Sequence, residues 1–174
     1  MKTIKPYLLI GLTLAFSSVL ARSFAQTTEK ANATAPVNND FSIVAGQSIG
    51  KIQLGDSREK VHQVLGAPNI MALNGGYGGG WERYNDLGLE ISYREFKVAF
   101  ISAISSKYKT AEGISVGSNP DVIRKIFKGG ILTKVSQGVY AYTDAKRGIK
   151  FQFGNDKNHS TKWCDAIIIT AMTK

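Results

Sequence analysis

Two histidines, His62 and His159, and one cysteine, Cys164, are the side chains in this 174-residue sequence best suited to general-base, nucleophilic or zinc chemistry. None stands in a patterned context. The sequence holds no HExxH, whose histidines one helical turn apart present a zinc site, no GxSxG nucleophile turn and no DxDxDG calcium loop. A single cysteine excludes an internal disulfide and every thiolate cluster for zinc or an iron–sulfur centre. The expectation is therefore no metal, no cofactor and no catalytic residue. Cys164 falls in an apolar strand, where a free cysteine acts as a small hydrophobe. His62 lies beside the apolar stripe of a predicted helix and His159 in a polar turn. Folding could still bring a cysteine to a histidine. The alternative to a non-catalytic protein is thus a small secreted enzyme or ligand-binding protein with a site near His62 or Cys164.

The other local feature is Asn74-Gly-Gly-Tyr-Gly-Gly-Gly80, five glycines in seven residues. It lacks the Lys-Ser/Thr of a phosphate loop and a strand feeding a helix, so phosphate binding is not expected. As a mobile loop it is costly to order. Tyr77 within it and Trp81 beside it, with Tyr84, Tyr140 and Tyr142 on neighbouring strands, suggest an aromatic contact surface for a partner protein.

The elements that must position these residues begin after an export signal. Lys2 and Lys5 precede an apolar stretch from Tyr7 to Leu20 and a small-x-small site at Ser23-Phe24-Ala25, which predicts a signal peptide over residues 1–25. The apolar stretch is shorter than the ~20 residues of a membrane-spanning helix, and no cysteine follows it to carry lipid. The mature chain is expected in the periplasm or outside the cell, with no integral membrane segment. Cleavage removes Lys2, Lys5 and Arg22 and no acid, lowering the formal charge from +9 to +6. The remaining bases are scattered pairs such as Lys146-Arg147, with no basic stripe, which argues against nucleic acid as a partner. Residues 26–40 are rich in Thr, Ala and Asn and poor in large apolar groups, as a disordered linker is.

From Phe41 the pattern changes to alternating apolar and polar positions, and a repeat emerges. Ile52-Gln-Leu54-Gly55 matches Ile114-Ser-Val116-Gly117, sixty-two positions on, and Val61, Val64 and Leu65 match Ile123, Ile126 and Phe127. Gly88-Leu-Glu-Ile-Ser-Tyr93 matches Gly148-Ile-Lys-Phe-Gln-Phe153. Such self-similarity divides the domain into repeats over 41–108 and 109–174. Each begins with a short one-faced helix, capped by Asp56 with Glu59 in the first copy and by Asn119 before Pro120 in the second. Three strands follow each helix: 81–84, 89–96 and 98–104, then 139–142, 149–153 and 163–170. The predicted fold is α+β: two tandem repeats, each a helix plus a three-stranded antiparallel meander, forming a two-layer sandwich with one open sheet face.

A short strand, then "LGDSREKVHQVLGAP" and "VGSNPDVIRKIFKGG", each leading into a meander, resembles the superfamily that contains BamE (SmpA/OmlA) and the β-lactamase-inhibitor protein. The tandem copies resemble the inhibitor more. That resemblance implies an exported protein that binds other proteins. The lipidated cysteine of the assembly factors and the cysteine pairs of the inhibitor are absent here, so it assigns no contact residue and no partner.

Overall fold

Alternation in the middle strands decides the architecture of the computed structural model, which describes residues 41–74, 78–154 and 164–173. In β6 (Leu89–Arg94) the side chains of Leu89, Ile91 and Tyr93 are buried between the half-buried Glu90 and Ser92. In β11 (Ile149–Phe153) Ile149, Phe151 and Phe153 are buried between Lys150 and Gln152. One face of each strand is therefore apolar and must be covered. With β4 (Ile70–Asn74), β5 (Gly79–Tyr84), β7 (Lys97–Ala103), β9 (Ile131–Ser136), β10 (Val139–Asp144) and β12 (Cys164–Ile169) they form an eight-stranded sheet. Its order is β4-β5-β6-β7-β12-β11-β10-β9. All neighbours are antiparallel, and β7 meets β12 at the centre with Ile101 opposite Ile169 and Ala103 opposite Ile167.

The apolar face is covered by α1 (Arg58–Leu65), α2 (Pro120–Ile126) and a small second sheet. That sheet comprises β1 (Ser42–Val44), β2 (Ser48–Ile49), β3 (Ile52–Gln53) and β8 (Lys109–Thr110), in the order β3-β2-β1-β8. Ile43, Ile49 and Ile52 from it share one core cluster with Val61 of α1, Ile123 of α2 and the inward rows of β6, β7, β11 and β12. The rings of Phe127 and Phe151 lie 4.7 Å apart within it. Gly88 closes the hairpin between β5 and β6, donating its N–H to the Asn85 carbonyl at 3.0 Å with φ of +62°. A side chain there would strain the backbone and strike Ser105.

The helix caps follow the sequence in one half and shift by a residue in the other. Asn119 Oδ1 accepts the Asp121 N–H at 2.8 Å, with Pro120 opening the helix. At α1 the cap is Ser57, whose Oγ accepts the Lys60 N–H at 3.3 Å. Asp56, the expected cap, instead accepts the Gln53 N–H at 2.9 Å and the Lys60 ammonium at 2.7 Å.

The α+β sandwich of two helix-plus-three-strand repeats is corrected by this architecture. Among the described residues strand accounts for 47% and helix for 12%, so the fold is mostly β. Four strands of the large sheet follow each helix, the additional ones being β4 and β9 at its two edges, and a separate four-stranded sheet covers part of its apolar face. The edge strands escaped notice because every residue in them is exposed, so neither carries the alternation that marks a half-buried strand. The predicted signal peptide and linker, residues 1–40, lie outside the described residues, as do His159 and Trp163.

Candidate functional site

Glu82 is the most unusual residue of the molecule. It stands opposite Ile91 on the inward row of β5, and its surface is 0% exposed. An acid so placed requires partners. Arg58 and His62, one turn apart on α1, bring Nε to 3.2 Å and Nε2 to 2.9 Å from Glu82 Oε1. The hydroxyls of Tyr84 and Tyr93 donate to Oε2 at 3.1 and 2.6 Å. Four groups thus converge on a carboxylate with about four acceptor positions. The Arg58 guanidinium lies 4.6 Å from the centre of the Tyr93 ring, while its Nε and Nη2 are buried with no hydrogen-bond acceptor among the described residues. Arginine therefore contributes charge and ring stacking more than directed hydrogen bonds. Burial, then the neighbouring Glu82 carboxylate, raises both tyrosines above their ordinary range, which keeps both hydroxyls as donors. The cluster is a brace that holds α1 on β5 and β6.

In the other half the position that matches Glu82 carries an uncharged side chain. Tyr142 stands opposite Phe151 as Glu82 stands opposite Ile91, and its hydroxyl donates to the Phe127 carbonyl at 2.7 Å. Pro120 and Arg124 hold the helical positions in α2 that Arg58 and His62 hold in α1. With no brace there, a half-open cavity of about 210 Å³ remains between α2 and the sheet, lined by Pro120, Arg124, Leu132, Tyr140 and Phe153. A second cavity, of about 260 Å³, lies beside α1 and is lined by Phe41, Ile49, Val64, Leu65, Leu87 and Tyr108 among others.

Apolar exposure concentrates at the sheet edges. Ile70, Met71 and Leu73 on β4, and Ile131, Leu132 and Val135 on β9, supply half of the large exposed hydrophobic side chains among the described residues. Ile131 is 70% exposed. Each edge strand pairs with one neighbour only among the described strands, leaving backbone N–H and C=O groups along its outer side.

The residues singled out in the sequence fall in different places. Tyr84 and Tyr142 are buried on the inward face, Tyr140 lines the α2 cavity, and Trp81 lies half-buried on the outward face with Arg83 5.6 Å from its ring. Tyr77 lies outside the described residues. The four described aromatics do not share one surface. Cys164 is buried opposite Phe153, its thiol donates to the Ala166 carbonyl at 3.3 Å, and burial pushes its pKa up to about 12. A thiol so held is protonated at neutral pH and is a poor nucleophile. No group of three or more His, Cys, Asp or Glu that could hold a metal occurs among the described residues, and none of their helices is long and apolar enough to cross a membrane. Glu82 was missed by sequence reasoning. The signal was present in Trp81-Glu82-Arg83-Tyr84, where alternation puts Glu82 on the same face as Tyr84 and so on the buried side.

No family model matches the chain, and neither does any curated protein. Solved structures do match. The uncharacterised protein YfeY from Escherichia coli aligns with a TM-score of 0.51 at 13% identity, covering 73% of this chain and 98% of that one. A DUF4309 family protein, YjgB, from Bacillus subtilis aligns at 0.48 and 12% identity, over 72% and 88%. An extracellular protein containing an SCP domain, from Bacillus anthracis, aligns at 0.45 and 16% identity over 68% of this chain, which spans only 44% of that protein. At these identities the likeness to YfeY concerns the fold alone. The resemblance to the BamE and β-lactamase-inhibitor superfamily is corrected by these neighbours, which belong to other groups.

Proposed function

We propose that this chain is an exported, non-catalytic protein-binding module of the periplasm or the extracellular space, which takes an extended segment of its partner along a free edge of the eight-stranded sheet. The observation that supports this most is the gathering of exposed apolar side chains on β4 and β9. Proteins ordinarily blunt such edges with charge, proline or a covering element, yet β4 reads Ile-Met-Ala-Leu-Asn with no charge. Strand addition satisfies the free backbone groups and covers the apolar side chains together. The export signal at residues 1–25 supports the location. An enzyme with a site near His62 or Cys164 draws less support, because His62 is committed to a carboxylate already surrounded by donors and Cys164 is a buried neutral thiol.

The test is affinity capture from envelope and secreted fractions at low and moderate salt, comparing the wild-type chain with Met71→Lys/Leu73→Lys and with Ile131→Lys/Val135→Lys. One edge pair is expected to abolish capture of a salt-resistant partner while circular dichroism stays native. Equal capture by both variants, or no salt-resistant partner at all, would overturn the proposal.

A further inference from the structure

Two edges are available, and they differ in what lies beneath them. Beside β4, Glu82 and its four partners occupy the contact of α1 with β5 and β6. Below β9 lies the cavity that Pro120 and Arg124 overhang. Leu132 and Lys134 occupy the inward row of β9, opposite Tyr142 and Tyr140, and Leu132 and Tyr140 both line that cavity. A strand laid on the outer side of β9 alternates its own side chains, so every second one points to the same side as Leu132. One of these enters the cavity. Its volume of about 210 Å³ suits one large apolar side chain such as Leu or Phe. The next inward position, two residues away, stands beside Lys134.

Charge selects the occupant further. Residues 120–136 contain Arg124, Lys125, Lys128 and Lys134 against the single acid Asp121, whereas β4 is uncharged. Asp121 is already paired with Arg124. An acidic side chain directly across from Lys134 is favoured, and a basic one is opposed.

From this cavity, register and charge we infer that the β9 edge is the docking site and that it takes an extended acidic segment of a partner protein, with a large apolar residue seated under α2 and a carboxylate two residues away from it against Lys134. The inference rests on the strand-addition reading above and adds the edge, the anchor pocket and the sequence class of the ligand.

The probes are ten-residue peptides of alternating Thr and Val with a central Phe-Thr-Glu or Glu-Thr-Phe, one for each strand direction, titrated to millimolar concentration into the isotopically labelled full chain and followed by amide chemical shifts. Shifts are expected in residues 131–136, in α2 and at Tyr140 and Phe153. Replacing the peptide Phe by Ala is expected to weaken binding about tenfold or more. Lys134→Glu is expected to weaken it at least threefold, with the peptide that carries Lys in place of its Glu recovering the loss. Met71→Lys leaves binding unchanged. Shifts confined to β4, an absence of binding, or indifference to Lys134→Glu would overturn the inference. So would β9-dependent dimers in light scattering, since the occupant would then be a second copy. If both peptides fail while the β4 variant abolishes partner capture, strand addition survives on the other edge; if neither edge variant affects capture, both readings fall together.

Discussion

Glu82 shows how much one residue can commit. A fully buried carboxylate is tolerated here because Arg58, His62, Tyr84 and Tyr93 all reach it. Truncating it leaves the Arg58 guanidinium without its counter-charge and two tyrosine hydroxyls without their acceptor, the situation in which breaking a buried pair costs about 3–5 kcal/mol. Glu82→Ala is therefore expected to lower the urea midpoint by an amount of that order, while Glu82→Gln, which keeps an acceptor, loses less. An equal loss in both variants would show that packing, not acceptor capacity, holds the site.

Cys164 makes a separate test at the same scale. Burial lifts its thiol from 9.0 to about 12, so above pH 9 the unfolded chain releases a proton that the folded chain retains. The folded state then binds more protons, and stability falls as pH rises from 9 toward 12. Tyr84 and Tyr93, also raised, add to the fall above pH 10. Chemical denaturation from pH 7 to 11 is expected to show a plateau and then a decline, and Cys164→Ala to remove the part that begins at pH 9. A thiol reagent at pH 8 is expected to label Cys164 only on unfolding.

At the scale of elements, what could be read from the sequence was set by what is buried. The helices and the six inner strands carry period 3.6 or period 2 patterns because one side of each meets the core. β4 and β9 carry neither, since both their faces meet solvent, and the short strands β1, β2, β3 and β8 are too brief to show a period. Glu82 is legible only from its parity with Tyr84, since a carboxylate by type alone points to the surface. For Tyr84 and Tyr142 the converse holds, for aromatic character suggested a contact surface where parity places them inside. Caps are legible to within a residue. Ser57→Ala is expected to cost about 1 kcal/mol and Asn119→Ala a similar amount, while Asp56→Ala, whose ammonium partner Lys60 is half-exposed, costs less. Thermal unfolding of the three variants ranks them, and a larger loss for Asp56→Ala than for Ser57→Ala would return the capping role to Asp56.

At the scale of the fold, the described residues place two helices and a small sheet over one face of a long antiparallel sheet whose ends stay unpaired among the described strands. The likeness to YfeY covers 73% of this chain and 98% of that one, and concerns the fold. The two ends are not equivalent, because a charged brace stands beside one and a cavity lies under the other. This asymmetry connects the fold to the proposed function, since it leaves one edge with backbone groups, apolar side chains, a pocket and positive charge in the same place. Amide hydrogen exchange of the chain with and without its captured partner tests that claim most directly. The account predicts new protection in residues 131–136 together with α2; protection confined to the middle strands' outward face, with both edges exchanging as before, would contradict it.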